Sequence, residues 1–165
     1  MLRLILLRHG KSSWEDARLD DFDRPLAPRG LRNVPEMGRR LARRGPAPDL
    51  VLSSTAMRAL ETARGVAREL GYREDGIHGV PELYLATSDE ILDVIRGAPS
   101  DIASLMIVGH NPGLTELANR LDDIRLDNMP TAAMLCVEFD VSGWSDIRPE
   151  EAQLCWFDYP KKVPA

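Results

Sequence analysis

The sequence predicts an α/β protein of three layers, α/β/α, with a mostly parallel central sheet and an antiparallel edge strand. Three observations carry that expectation. Short apolar runs alternate with longer amphipathic stretches, the pattern of strands and the helices that cover them. The early apolar runs are continuous rather than alternating, as strands buried on both faces require. Near the end of the chain the alternation stops, and two β-rich runs follow one another across a loop.

"LRLILL" (Leu2 to Leu7) reads as a fully buried strand, "DLVLSS" (Asp49 to Ser54) as a second and "SLMIVGH" (Ser104 to His110) as a third. Between them, Arg29 to Arg44 places Leu31, Val34, Met37, Gly38 and Leu41 on one helical face with arginines opposite. Pro35 interrupts that pattern, so the helix begins near it or kinks there, and Gly45-Pro46 stops it. Ala56 to Leu70 repeats the amphipathic pattern and ends at Gly71, a C-cap candidate. Ser88 to Ile95 reads as a shorter helix capped by Ser88, and Pro112 to Leu121 as one with proline in its first turn. "HGVPEL" carries a further short strand candidate. "AAMLCVEFD" and "AQLCWFDY" form the expected antiparallel edge pair, and acidic Glu15 to Pro25 has no period and reads as surface loop. No repeat or linker divides the chain, so one domain over 1–165 is expected.

Composition narrows the function classes. A chain of 165 residues, 44% hydrophobic and 28% charged, can bury an ordinary globular core. Its net charge of -5 argues against general nucleic-acid binding, and no apolar run reaches membrane-spanning length. The first apolar stretch, Leu4 to Leu7, runs straight into Arg8 and lacks a secretory pattern, so a cytoplasmic location is expected. Cys136 and Cys155 are too few for a disulfide framework or a metal cluster and are expected as reduced, mostly buried thiols. No metal and no other cofactor is called for.

Two phosphate chemistries compete for "LILLRHGKSSW". Gly10-Lys11-Ser12 matches the tail of a nucleotide-binding P-loop, but that loop needs another glycine with four residues between it and Gly10, where this chain has Ile5. Leu6 to His9 would fill a cradle that requires small, flexible residues. The nucleotide reading fails. The alternative gains from position, because open α/β sheets bind ligands at the carboxyl ends of their parallel strands. The first run ends in Arg8-His9, the second in Ser53-Ser54 with Arg58 one turn on, and the third in Gly109-His110-Asn111. If these strands are parallel neighbours, two histidines and two arginines meet. Glu82 follows the fourth, shorter run.

Leu7-Arg8-His9-Gly10, "SSTAMRALETA" around Arg58, "PEL" at Glu82 and "VGHNPG" around His110 resemble the histidine phosphatase superfamily and occur in its usual order. Within it, "RHGKSSW", "DFDRPLAPRG", the short length and "NMPTAAM" resemble the SixA-type phosphohistidine phosphatases. Glycine after the histidine follows the wider superfamily, where this subgroup often has alanine. The resemblance implies a phosphoglycerate mutase-like fold and a metal-independent phosphatase. It marks His9 as a nucleophile that becomes transiently phosphorylated and His110 as a donor to a phosphate oxygen. Arg8 and Arg58 suit a phosphate clamp, since a planar guanidinium donates paired hydrogen bonds and stays charged. Nearby guanidiniums would also lower the pKa of His9 and keep it neutral. Glu82 either protonates a leaving alcohol, as in ester-cleaving members, or orients water or supports the site.

Other residues carry paired readings. Asn111 offers its amide to the anion or caps a helix start. Ser12 and Ser13 bind phosphate or cap their loop. Arg24 and Arg29 orient substrate or pair with Asp20, Asp21 and Asp23, and pairing is favoured. Thr131 lines the pocket without an assigned role, His78 is an ordinary strand or turn residue, and Trp14 and Trp156 pack. The implied partner is a phosphohistidine-bearing protein such as a phosphotransfer domain, because a short chain has little length for a roof over the site. The alternatives are a small phosphorylated substrate with the same machinery, or a non-catalytic phosphate-binding module. No nucleic acid and no membrane is expected.

Overall fold

In the computed structural model, which describes residues 1–162, six strands form one sheet. They are β1 (Leu2–Arg8), β2 (Leu50–Ser53), β3 (Ile77–Gly79), β4 (Ser104–Gly109), β5 (Met134–Phe139) and β6 (Gln153–Asp158). Their order across the sheet is β3-β2-β4-β1-β5-β6. β3, β2, β4 and β1 are mutually parallel. β5 pairs antiparallel with β1, and β6 antiparallel with β5, so the antiparallel pair closes one edge.

The continuous apolar runs have a direct structural cause. In β1, Ile5 and Leu7 face one core with Val34, Met37 and Leu41 of α1 (Pro28–Arg44) and Ala59, Ala63 and Val66 of α2 (Met57–Leu70). Leu4 and Leu6 face the other core with Ile91, Leu92 and Ile95 of α3 (Ser88–Arg96) and Leu114, Leu117 and Ala118 of α4 (Gly113–Ala118). Successive side chains point to opposite faces, so a strand covered on both sides must be apolar at every position. This is the three-layer arrangement that the sequence predicts.

Several local expectations are corrected. Leu31 is 56% exposed rather than part of the α1 seam. The helix begins at Pro28, and Pro35 sits inside it. Proline cannot donate to the carbonyl four residues back, which is that of Leu31, and the gap falls at a solvent-facing residue. The cap of α3 is Thr87, one residue earlier than Ser88. Its hydroxyl accepts from the Glu90 amide at 3.2 Å and the Glu90 carboxylate accepts from the Thr87 amide at 3.0 Å, a reciprocal capping box. α4 ends at Ala118 rather than Leu121. There the Asn119 side chain pairs with both backbone groups of Leu126 and draws the chain out of the helix. Gly71 closes α2 in the left-handed conformation at φ 68°, as expected of a C-cap.

Cys136 is buried, but Cys155 is exposed, because β6 is the sheet's edge and its outer residues are uncovered. Trp14 is 70% exposed, and its packing consists of the Arg24 guanidinium lying 3.4 Å from the ring centroid. No helix among the described residues is long and apolar enough to cross a membrane.

Candidate active site

The carboxyl ends of β1, β2 and β4 lie side by side, with Arg8 opposite Gly109 and Ser53 opposite Val108. Chain segments far apart in sequence therefore deliver their next residues to one place. His9 and His110 are 7% and 2% exposed, and their ring centroids are 5.1 Å apart. Arg58 stands in the first turn of α2 and is 3% exposed.

Hydrogen bonding sets the state of each ring. The Gly10 carbonyl lies 2.7 Å from His9 Nδ1. A carbonyl can only accept, so Nδ1 carries the proton and Nε2 keeps its lone pair. Arg58 Nη2 lies 3.4 Å from His110 Nδ1 and can only donate. The His110 proton is therefore on Nε2, which donates to Ser54 Oγ at 2.8 Å. Burial, with the Arg58, Arg8 and Arg24 charges added, holds the His9 pKa down at about 4 despite the bond to Gly10. Burial, then the neighbouring His9 and Arg58, lowers His110 to about 3. Both rings are neutral near pH 7.

The loop that follows β1 is tied to α2 through the Thr62 hydroxyl. The Gly10 amide donates to Thr62 Oγ1 at 2.9 Å, and that hydroxyl donates to the Arg58 carbonyl at 2.7 Å. A Cβ at Gly10 would lie 2.8 Å from Val34 Cγ2, so glycine lets the loop sit against α1.

The two guanidiniums are held differently. Arg58 donates to the Asp21 carbonyl at 2.7 Å and to its carboxylate at 3.0 Å. Asp21 also accepts from Arg24 at 3.0 Å and from the Tyr84 hydroxyl. Burial alone would raise the Asp21 pKa, but the bonds from Tyr84, Arg24 and Arg58 outweigh it and hold the carboxyl well below its usual range. Arg8 has a single partner among the described residues, the Met129 carbonyl at 2.8 Å from Nη1, and its buried Nε has none. Arg58 Nε is likewise buried and unpartnered. Burial and the Arg58 charge lower the pKa of Arg8.

The remaining candidates separate clearly. Both amide hydrogens of Asn111 are engaged, by Asn128 Oδ1 at 2.8 Å and the Met129 carbonyl at 3.0 Å, while its oxygen accepts from the amide and hydroxyl of Thr115. The geometry is that of a brace on the start of α4 and the loop behind Arg8, not of an amide free for an anion. Ser12 accepts from Arg24 at 2.9 Å and Ser13 caps its loop by accepting from the Glu15 amide. Arg24 pairs with Asp21, while Arg29 forms no ion pair with a described residue and lines a cavity beside Arg8 together with Thr131. Glu82 is exposed on the Pro81–Leu83 turn and makes no hydrogen bond or ion pair among the described residues. His78 is exposed on β3. No group of three or more His, Cys, Asp or Glu placed to hold a metal occurs among the described residues.

A sequence profile of the histidine phosphatase superfamily (branch 1) matches residues 4–84, a span that includes Arg8, His9, Asp21, Arg58 and Tyr84. A solved structure from Agrobacterium tumefaciens, described as a candidate phosphohistidine phosphatase SixA, superposes with a TM-score of 0.81 at 30% identity, covering 96% of this chain and 98% of that one. An uncharacterised protein of Mycobacterium tuberculosis is 33% identical over 94% of this chain and 100% of its own length. A protein histidine phosphatase SixA complexed with tungstate shares the fold, with a TM-score of 0.80 at 22% identity over 96% of this chain and 97% of that one. The chain belongs to the histidine phosphatase superfamily. Its full-length likeness within that superfamily is to the SixA type.

In this histidine phosphatase, Asp21, Ser54, Thr62, Tyr84 and the Met129 carbonyl orient the site residues, and none was a sequence candidate for that work. Only Asp21 had a signal, as one of three carboxylates placed to pair with Arg24 or Arg29. The others reach Arg8, Gly10, Asp21 and His110 across separations of 52 to 121 residues, which no local pattern reports.

Proposed function

We propose that the protein hydrolyses phosphohistidine on a partner protein through a covalent phosphohistidine intermediate at His9. The observation that carries this reading is the neutral His9 ring, whose Nδ1 is committed to the Gly10 carbonyl and whose Nε2 lone pair is left to attack, beside the buried Arg58 and the partly buried Arg8. Nε2 forms a bond to phosphorus as the P–N bond breaks, and the substrate ring, protonated at its other nitrogen, leaves as neutral imidazole. Arg8 and Arg58 balance charge on the phosphoryl oxygens, and their unpartnered Nε atoms mark donors that protein groups leave unused. A bound dianion favours the charged form of His110, opposing the burial that lowers its pKa in the free site, and the proton gained at Nδ1 is then a donor beyond the Nε2–H held by Ser54. Water then attacks phosphorus, the His9–phosphorus bond breaks, and inorganic phosphate leaves.

Glu82 has no necessary place in this sequence of steps. Imidazole leaves from phosphorus more readily than an alkoxide, and Glu82 is exposed without a contact to the other site residues. The SixA-type likeness over nearly the whole chain supports the choice of phosphohistidine over an alcohol ester.

Brief incubation with a labelled phosphodonor tests the mechanism. Wild type should take up acid-labile label at His9 and release it to water, while His9→Ala takes none and loses about four orders of magnitude in turnover or more. Offering a phosphohistidine-bearing protein beside a simple phosphate ester tests the substrate. Clear preference for the ester would overturn the protein-substrate part alone.

A further inference from the structure

Arg8 adjoins both His9 and a cavity on its other side. Besides its place next to His9, it lines a cavity of about 460 Å³ whose wall also carries Lys11, Arg29, Thr131 and Lys161. Four of these residues are cations, and the wall contains no carboxylate. Lys11, Arg29 and Lys161 form no ion pair among the described residues. In a chain of net charge -5 this is a local reversal of sign. A concave surface of one sign focuses its field on whatever enters.

The wall is held in place by buried structure. Arg40, 8% exposed, donates to Asp158 Oδ1 at 3.0 Å and to the carbonyls of Tyr159, Pro160 and Lys162 at 3.0 to 3.1 Å. That fan of bonds fixes the segment on which Lys161 stands. On the other side, a Cβ at Gly30 would lie 2.4 Å from the Lys11 carbonyl, so glycine there lets the start of α1 press against the residue that follows the His9 loop. Arg29 stands in that first turn, which has no acidic residue and no side-chain cap. A cation at the positive end of a helix dipole disfavours the helix. An anion in the cavity relieves that cost and balances Arg8.

We propose that this cavity is a second anion subsite, which receives carboxylates flanking the phosphorylated residue of the substrate while the phosphoryl group sits at His9. The inference rests on the reading of the substrate as a phosphohistidine protein and names a chemical property of it, an acidic neighbourhood. Exposed ion pairs are individually weak, so the effect comes from several cations acting together in a concave site.

Two phosphohistidine peptides of equal length test this, one with glutamates flanking the phosphohistidine and one with glutamines there. A parallel arm compares a bisphosphorylated with a monophosphorylated sugar, which separates a carboxylate on a protein from a second phosphate on a small molecule. Wild type should favour the glutamate peptide by about tenfold in kcat/KM at low ionic strength, with the preference shrinking as salt is added. The double variant Arg29→Gln/Lys161→Gln should reduce it below about twofold. Absence of any preference, or one that survives in the double variant, overturns the proposal, and a preference confined to the bisphosphate overturns its assignment to a protein. If neither peptide is dephosphorylated while esters are, the phosphohistidine reading falls on its own. Unphosphorylated versions of the peptides, competing against ester turnover, then decide the subsite. Stronger inhibition by the glutamate peptide in wild type only supports it, and equal inhibition overturns it.

Discussion

The two arginines beside His9 stand in opposite electrostatic settings. Arg58 meets a carboxylate, Asp21, which Arg24 and Tyr84 also hold. Among the described residues Arg8 meets only the Met129 carbonyl, and it shares its cavity with three further cations. The Arg58 side is charge-balanced and oriented before any ligand arrives, and a phosphoryl group must share that guanidinium with Asp21. The Arg8 side carries uncompensated positive charge at partial burial, so the arriving anion is what balances it. A buried charge without a partner weakens the fold, and its retention at a site is a mark of use rather than of stability.

The largest effects come from neutralising each arginine. Arg8→Gln and Arg58→Gln should each lower kcat/KM by about 10²- to 10³-fold, as expected on removing a donor to a charged transition state. Their stabilities should diverge. Arg8→Gln relieves repulsion and raises Tm, whereas Arg58→Gln removes a partner of Asp21 and lowers it. Thermal unfolding in phosphate-free buffer checks this, and shifts of the same sign would break the comparison.

Next in size is Asp21→Asn. It should lower kcat about tenfold by loosening Arg58, while competing phosphate binds more tightly because a rival anion is gone. Steady-state kinetics with phosphate as inhibitor separates the two effects, and unchanged inhibition would show that Asp21 does not compete for Arg58.

The pH profile sharpens the same picture. If the neutral His9 ring is the attacking group, with its pKa held at about 4, kcat/KM on an acid-stable ester should stay level through pH 6.5 and fall only towards pH 4. Stability follows from the same shifts. In the unfolded chain both histidines titrate near 6.5, and in the fold at about 4 and about 3. Between those values the unfolded state binds more protons. Their contribution is therefore complete above pH 6.5 and is lost as pH falls through that window. Unfolding midpoints across that range check the sign. The smallest expected effect is that of Glu82→Gln, less than about twofold on phosphohistidine turnover, where a working general acid would show about 10²-fold or more.

How much of this was legible depended on the range of the interaction responsible. The strands could be read because burial on both faces leaves an uninterrupted apolar run, and Arg8, His9, Arg58 and His110 could be placed because each ends or directly follows a parallel strand or stands in the first turn of the next helix. Leu31 misled because period alone does not reveal that a seam starts one turn later. Ser88 and Thr87 are both competent caps, and the choice fell to Glu90, which closes its box on Thr87. Asn111 had two readings that only its partners, Asn128, Met129 and Thr115, could separate. Glu15 to Pro25 looked like plain acidic loop, yet its Asp21 reaches Arg58 and Tyr84 across 37 and 63 residues.

By itself the sequence determined the layer architecture, the strand ends and the residue types available for phosphate chemistry, since these follow from local periodicity and from the chemistry of side chains. Tertiary structure decided which atoms of those residues remain free. The proton on His110 Nε2 and the carboxylate on Arg58 depend on partners brought in from distant segments, whereas the proton on His9 Nδ1 is set by the adjoining Gly10 carbonyl. Hydrogen bonding and Coulomb forces act over a few ångströms of space, whatever the separation along the chain.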